Sequence, residues 1–234
     1  MSERLPFLKL PLSQSAMRTA YQAALRRVLA GGKLILGEEV SSFEDEFARF
    51  CGARECVAVG NGTDALQIAL RLSGIAAGSD AEVITTPLTA SFTAHAVVAA
   101  GGKPVFADIN PETLLIDPER VKAVITKRTA ALLPVHLYGQ ACDLNALRRL
   151  ARKHKLKLIQ DAAQAHGSTY MGRPLADFTD ISCYSFYPTK NLGALGDGGA
   201  LVTNRAEIAR RARLFRDGGD RKSTRLNSSH VSEF

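Results

Sequence analysis

The chain has 234 residues, of which 46% are hydrophobic and 23% are charged, and its formal net charge is +7 at pH 7. This length and composition are typical of a soluble globular protein with one large core. No apolar run approaches the roughly 18–20 residues that span a bilayer, and no signal-peptide pattern or nucleic-acid-binding motif is present, so we expect a cytoplasmic protein without a membrane or nucleic-acid partner.

The first half of the chain alternates predicted helices with short apolar strands. Phe43, Phe47 and Phe50 recur at helical spacing and Gly52 follows them, which predicts a helix over 41–52. Thr63 or Asp64 is expected near the start of the next helix. The further predicted elements are the strand 55–60, the helix 62–74, the strand 82–87, the helix 91–102 and the strand 103–109.

The second half continues the same alternation. Asp117 as N-cap and Pro118 at the first helical position predict a helix over 117–125. The basic residues lie mostly on predicted helices, which indicates solvated helix faces. The other predicted elements are the strand 130–137, the helix 143–155, the strands 156–161, 180–186 and 199–204, and the helix 205–216.

Strands that are apolar throughout and separated by helices predict an α/β fold with a mostly parallel sheet covered on both faces. In such sheets ligands bind beyond the carboxyl ends of the strands. Four loops meet that condition, and they are residues 60–64, 87–93, 161–164 and 185–190.

The first of these loops, GNGTDAL (60–66), leads directly from a strand into a helix. Free N–H groups and the positive end of the helix dipole suit a phosphate group there. The loop matches neither the Walker pattern nor GxGxxG. An ordinary strand-to-helix turn is therefore the alternative.

Asp161 stands at the carboxyl end of an apolar strand. A carboxylate is costly to bury there without a partner. It either caps a following helix or faces a cationic nitrogen of a ligand. His166 follows five residues later without a third candidate ligand, so we expect a structural or supporting histidine and no metal site.

The segment SFYPTKNLGALGDGGALVTN (185–204) places Lys190 in a glycine-rich run. Such a lysine can bind phosphate, pair with a carboxylate or form a Schiff base. A possible phosphate site at residues 60–66 and an aspartate at a strand end favour the Schiff-base role. Pyridoxal phosphate requires one lysine, one phosphate site and one acid opposite its ring nitrogen.

Five long segments, in the same order, resemble the DegT/DnrJ/StrS-type sugar aminotransferases, and the resemblance runs from about residue 8 to residue 218. It implies the aspartate-aminotransferase fold (pyridoxal phosphate fold type I) for residues 1–219, with a mixed, mostly parallel sheet and helices on both faces. It also implies a homodimer. The segments are GEEVSSFEDEFARFCG, VGNGTDALQIAL, GGKPVFADINPETLLID, VHLYGQACDLNALRRLARKHKLKLIQDAAQAHGSTYMGR and SFYPTKNLGALGDGGALVTN.

The resemblance also implies roles for individual residues. Lys190 would be the catalytic residue that forms the Schiff base with pyridoxal 5'-phosphate, and Asp161 would keep the ring nitrogen protonated. Gln164 would contact the ring oxygen. The remaining contacts, to the phosphate, would come from the backbone amides of Gly62 and Thr63 and the hydroxyl of Ser185.

The chain departs from the family pattern at two places. Many relatives have an aromatic residue at the position of Ala90 that stacks on the cofactor, and Phe92 is the candidate to replace it. Relatives also continue into a small C-terminal domain. Here residues 220–234 follow instead, and DRKSTRLNSSH resembles a translated sequencing adapter. We therefore predict a disordered, non-native tail at 220–234, and we expect this chain by itself to be inactive.

The predicted reaction is transamination of a nucleotide-linked keto sugar, with an amino acid, expected to be glutamate, as donor. One alternative is a pyridoxamine-dependent sugar dehydratase, whose members carry histidine at the position of Lys190. The other is a regulatory or binding protein that keeps the fold without turnover. Lys190 argues against the first, and the complete set of site residues argues against the second.

Overall fold

A computed structural model describes residues 15–218 of the chain. The predicted tail at 220–234 lies outside the described residues and stays a prediction. The chain divides into two compact units, one up to Phe43 and the other from Glu44 onward. Within residues 15–218, no helix is both long enough and apolar enough to cross a membrane.

The first unit contains helix α1 (Ser15–Gly31), which the sequence analysis did not predict, and the start of helix α2 (Glu38–Phe50). The guanidinium group of Arg27 contacts the carboxylate of Glu39 at 2.6 Å. Both side chains are exposed to solvent, so this ion pair contributes little to stability.

The second unit is built on a seven-stranded sheet with the strand order β1-β9-β8-β5-β4-β2-β3. Strand β9 is antiparallel to both of its neighbours and the other pairs are parallel, which confirms the prediction of a mostly parallel mixed sheet. Two further strands form a separate short hairpin that was not predicted. The strands are β1 (Glu55–Val59), β2 (Glu82–Thr85), β3 (Lys103–Phe106), β4 (Thr129–Leu132), β5 (Lys157–Asp161), β6 (Thr169–Tyr170), β7 (Arg173–Pro174), β8 (Ile181–Ser185) and β9 (Gly199–Thr203).

The helices of the second unit follow the predicted positions closely. Asp117 caps its helix by accepting a hydrogen bond from the backbone N–H of Glu119 at 2.8 Å, with Pro118 in the first turn as predicted. Thr63 and Asp64 lie in the first turn of the helix that follows β1, as predicted, and Asn61 caps that helix. The helices are α3 (Gly62–Leu72), α4 (Ser91–Ala100), α5 (Pro118–Val124), α6 (Leu144–His154) and α7 (Ala206–Arg216), with short 3-10 helices at Leu137–Gly139 and Leu175–Asp177.

Hydrophobic cores lie on both faces of the sheet. Because successive strand residues point to opposite faces, Val83 and Ile159 pack with α3, α4 and α7. Their chain neighbours Ile84 and Leu158 pack with α5 and α6 on the other face. Two covered faces explain why these strands are apolar throughout.

The strands that precede the four predicted loops are parallel to one another, so their carboxyl ends meet at one edge of the sheet. These strands end at Val59, Thr85, Asp161 and Ser185. The topology therefore brings the four loops together at that edge, as the sequence analysis expected.

Two glycines allow a close approach of α3 to the sheet at this edge. A side chain on Gly199 would overlap the backbone carbonyl oxygen of Asn61, and a Cβ on Gly62 would lie 2.7 Å from the Cβ of Ser185. Gly199 is the residue opposite Ser185 in the β8–β9 pairing. The first turn of α3 thus packs against β8 and β9 with no space for a side chain at position 62 or 199.

We predict that Gly199→Ala destabilises the protein, because the added methyl group meets the rigid backbone at Asn61. The expected loss in the free energy of unfolding is about 1–3 kcal/mol, measured by denaturant titration. Gly196→Ala is the matched control, since a Cβ there has no neighbour within 4 Å, and its effect should stay below about 1 kcal/mol. Equal stability of the two variants would contradict the close approach.

Candidate active site

A cleft of about 770 Å³ opens at the edge where the four loops meet. Its volume lies within the usual range of small-molecule sites, roughly 300–1,000 Å³. All four loops contribute side chains or backbone to its wall. Five of the six predicted site residues line it, and they are Gly62, Thr63, Asp161, Ser185 and Lys190.

The first turn of α3 forms one wall of the cleft. Asn61 has an extended backbone, and its side-chain oxygen accepts the N–H of Asp64 at 2.9 Å. The N–H groups of Gly62 and Thr63 precede the first intrahelical hydrogen bonds, so they are available to a ligand. Ser185 lies directly beside Gly62. Two N–H groups and a nearby hydroxyl at a helix N-terminus suit a phosphate group.

Asp161 ends β5 and is buried, with only 6% of its surface exposed. One carboxylate oxygen accepts the N–H of Ala163 at 3.1 Å and the other accepts the hydroxyl of Thr93 at 2.9 Å. Burial raises the pKa of Asp161, while these two hydrogen bonds and the positive charge of Lys190 lower it. Residues 162–168 form turns, so the alternative that Asp161 caps a following helix is wrong.

The backbone of Asp161 is fixed by the loop that follows β4. Its N–H donates to the carbonyl of Pro134 at 2.9 Å, and its own carbonyl accepts the N–H of His136 at 3.0 Å. Hydrogen bonds on both sides of the residue hold the end of β5 in one position. The carboxylate therefore projects from a rigid backbone.

A buried polar network surrounds the imidazole of His136. Its Nδ1 accepts the backbone N–H of Cys142 at 3.1 Å, so the proton of the neutral ring lies on Nε2 and is donated to the amide oxygen of Gln160 at 2.5 Å. The amide nitrogen of Gln160 donates to Ser182 Oγ and to the carbonyl of Leu175. Burial lowers the pKa of His136 to about 4, which keeps the ring neutral at ordinary pH.

Lys190 projects into the cleft from the turn that follows β8. Its backbone N–H donates to the carbonyl of Tyr187 at 2.8 Å, and the N–H of Tyr187 donates to Ser185 Oγ at 3.3 Å. Within residues 15–218 the amine of Lys190 forms no ion pair with a carboxylate. It shares the cleft with Asp161.

Gln164 is the predicted site residue that does not line the cleft. Its amide oxygen accepts the backbone N–H of Tyr138 at 2.7 Å. Because a backbone N–H can only donate, the amide oxygen of Gln164 is committed to this bond and its –NH₂ group remains to donate to a ligand oxygen. Tyr138 adopts a left-handed backbone (φ 56°), which is uncommon for a residue with a side chain.

The threonine that contacts Asp161 was not predicted from the sequence. Thr93 lies within the loop 87–93, which follows the carboxyl end of a strand. That position is the one sequence feature that could have identified Thr93 as a site residue. Ala90 and Phe92 also line the cleft, and the ring of Phe92 packs edge-on against His95. Stacking of Phe92 on the cofactor stays a prediction.

His166 lies in an aromatic cluster. Its ring centroid is 5.4 Å from that of Tyr184 and 5.5 Å from that of Phe186. Burial lowers the pKa of His166 to about 4. In the described part of the chain, no group of three histidine, cysteine or acidic side chains is arranged to hold a metal ion.

Comparison with known proteins places these features in a family. The model of the DegT/DnrJ/EryC1/StrS aminotransferase family matches residues 15–232. A dTDP-3-amino-3,4,6-trideoxy-alpha-D-glucose transaminase from Micromonospora megalomicea subsp. nigra is 49% identical over 193 residues, which are 82% of this chain and 51% of the relative. A pleiotropic regulatory protein from Geobacillus stearothermophilus is 42% identical, over 92% of this chain and 58% of that protein. The chain thus spans between about half and three fifths of these relatives.

Solved structures agree with the sequence comparison. Streptomyces venezuelae DesV, in complex with a ketimine intermediate, matches with a TM-score of 0.88 and 46% identity, over 93% of this chain and 58% of that chain. NtdA from Bacillus subtilis, with bound cofactor PMP, matches with a TM-score of 0.85 and 37% identity, over 91% of this chain and 48% of that chain. The chain belongs to the DegT/DnrJ/EryC1/StrS aminotransferase family.

Proposed function

We propose that the protein to which this chain belongs is a pyridoxal phosphate-dependent aminotransferase that transfers an amino group from an amino acid, glutamate in our proposal, to a nucleotide-linked keto sugar. The observation that carries the proposal is the convergence of Lys190, Asp161 and the first turn of α3 on one cleft. These elements come from three separate parts of the chain, and together they meet the three requirements of the cofactor.

The residues in the cleft fit pyridoxal phosphate. The N–H groups of Gly62 and Thr63, with the hydroxyl of Ser185, would hold its phosphate, and a side chain at position 62 would collide with Ser185. Lys190 would bind the cofactor covalently as a Schiff base. Gln164 does not line the cleft, and we propose that its –NH₂ group donates to the ring oxygen of the bound cofactor. When bound, the cofactor accepts the electron pair that is released when the Cα–H bond of the amino acid breaks.

Two side chains would manage the protons of the reaction. The amine of Lys190, once displaced by the amino donor, would take the proton from the donor Cα. It would then return this proton to a carbon of the cofactor. Asp161, kept in its ionised form, would hold a proton on the ring nitrogen opposite. A buried carboxylate with two fixed hydrogen-bond donors is suited to this role because it cannot rotate away.

We propose the sugar substrate from the functions for which relatives are named. The relative from Micromonospora is a transaminase of a dTDP-linked sugar, and a relative from Pseudomonas aeruginosa, 43% identical over 92% of this chain and 60% of its own length, is an aminotransferase of a UDP-linked sugar. We also propose that the complete protein is a homodimer in the cytoplasm.

A regulatory protein is the second candidate, and the similarity to the Geobacillus pleiotropic regulatory protein supports it. The two candidates differ in one measurement. An aminotransferase converts the absorbance of bound pyridoxal phosphate to that of the pyridoxamine form when glutamate is added. A protein that only binds the cofactor shows no such conversion. The dehydratase alternative is disfavoured by Lys190.

We predict that Lys190 is the lysine that binds the cofactor covalently. Borohydride reduction of the full-length protein with pyridoxal phosphate, followed by peptide mapping, should label Lys190, and Lys190→Ala in that protein should abolish both the label and transamination. Lys122→Ala is the control, because Lys122 lies in α5 and outside the cleft. A stable label on a different lysine of the wild-type protein would refute the assignment.

We predict that Asp161→Asn leaves the fold intact and reduces turnover by about 10²-fold or more, which corresponds to roughly 2.7 kcal/mol of activation free energy. The neutral amide has no charge with which to hold the proton on the ring nitrogen. Steady-state kinetics of the full-length protein measure the effect. The control is Asp117→Asn, which keeps a good helix cap outside the cleft. Turnover close to wild type in Asp161→Asn would exclude the proposed role.

A further inference from the structure

Two threonine hydroxyls form a chain that ends on Asp161. The hydroxyl of Thr93 donates to Oδ2 of Asp161 at 2.9 Å, and the hydroxyl oxygen of Thr89 lies 2.8 Å from that of Thr93. Thr93 is 1% exposed and stands in the first turn of α4, while Thr89 is half-buried in the loop before it. The reaction proposed above uses the Thr93 hydroxyl only as a donor that fixes the carboxylate, and it gives Thr89 no role.

The direction of the chain follows from the number of protons. A hydroxyl has one proton, and Thr93 gives its proton to Asp161 because an ionised carboxylate can only accept. Thr93 must then accept from Thr89, whose hydroxyl is the donor in that pair. The chain therefore runs from Thr89 through Thr93 to the carboxylate.

Such a chain acts on the charge state of the carboxylate. Burial raises the pKa of Asp161 and so favours its neutral form. Each donor that points at the carboxylate favours the ionised form instead, and a hydroxyl that itself accepts a hydrogen bond becomes a stronger donor. The backbone N–H of Ala163 can be removed only by proline, which also restricts the backbone, whereas the threonine hydroxyls can be removed without changing the backbone.

We propose that Thr89 and Thr93 are positioning residues that keep Asp161 ionised and fix the direction of its free lone pairs toward the cleft. The inference rests on the proposed function, in which Asp161 faces the ring nitrogen of the cofactor. The two threonines would thus act through Asp161 and not on the substrate.

Other titratable groups around Asp161 also influence the charge state of its carboxyl group. Lys190 adds a positive charge, and the buried thiol of Cys183 on β8 has its pKa raised by burial and by the charge of Asp161. These groups remain in place in every variant below. The remaining titratable groups at the cleft wall or hydrogen-bonded or packed next to β5 include Asp64, His95, His136, His166, Asp180, Tyr187 and Asp197.

The test is a pH titration of the Asp161 carboxyl carbon by ¹³C NMR in the cofactor-free 234-residue chain, with the signal assigned by its loss in Asp161→Asn. Thr93→Val keeps the shape of the side chain and removes the hydroxyl. We expect the midpoint to rise by about one pH unit, since a hydrogen bond to a charged group is lost. Thr93→Ser restores the hydroxyl and should titrate as wild type. Thr89→Val should shift the midpoint in the same direction by less.

Thr85→Val is the matched control, because Thr85 is also fully buried but donates its hydroxyl to the carbonyl of Leu133 at 2.8 Å. Its midpoint should equal that of wild type. A wild-type midpoint in Thr93→Val, or an equal shift in Thr85→Val, would overturn the proposal. If Thr93→Val does not fold, the titration of Thr89→Val tests the proposal instead. An unchanged midpoint in Thr89→Val would then overturn the proposal.

This titration is independent of the proposed function, since it uses no cofactor and no substrate. A shifted midpoint without borohydride labelling at Lys190 would support the hydroxyl chain and refute the aminotransferase. Labelling at Lys190 with unshifted midpoints would support the aminotransferase and refute the hydroxyl chain. In the full-length protein with bound pyridoxal phosphate, Thr93→Val should also shift the acid limb of the pH–rate profile to higher pH. Thr93→Ser should leave it unchanged.

Discussion

The candidate site depends on one constraint, which is a carboxylate buried at the end of a central strand. Desolvation would neutralise Asp161 unless donors surround it, and an unpaired charge in this position would weaken the whole fold. The hydrogen-bond donors come from α4 and from the turn after β5, and Lys190 in the loop after β8 adds a positive charge. All three segments must therefore be correctly placed before the carboxylate is stable. The chemistry of the site and the packing of the sheet are coupled through this residue.

The opposite wall of the cleft depends on steric contact instead of charge. Gly199 and Gly62 let the first turn of α3 lie against β8 and β9 so closely that no Cβ fits. This contact sets the position of two N–H groups with respect to Ser185. A phosphate held there and a ring nitrogen held at Asp161 would fix a ligand at two points of a rigid frame.

A third layer lies behind the cleft. The imidazole of His136 and the amide of Gln160 make hydrogen bonds with each other and with three neighbouring segments. The imidazole accepts a hydrogen bond at Nδ1 and donates one at Nε2, so these bonds require the neutral ring with its proton on Nε2. Buried polar networks that are fully satisfied in this manner specify one arrangement of the strands that they connect. Here that arrangement places the end of β5, and with it Asp161.

The sequence by itself determined the local elements and the chemical types at the strand ends. Helical spacing of apolar residues, the Asp117–Pro118 cap and the apolar strands predicted most helices and strands within a few residues. These signals are local, because side-chain periodicity and capping depend on neighbours within a few positions. Helix α1 and the short β6–β7 hairpin carried no such recognised pattern and were missed. Asn61, which caps α3, was missed as well.

Only the tertiary structure decided which distant groups meet. The strand order places β5 beside β8 and brings α4 to Asp161, so that Thr93 contacts a carboxylate 68 positions away in the chain. The orientation of the Gln164 amide depends on the backbone of Tyr138, and the role of Gly199 depends on a carbonyl of Asn61. No local pattern encodes these contacts, because they arise from the pairing of strands and the packing of helices on the sheet. The sequence determined which groups the site contains, and the long-range packing determined which of them touch.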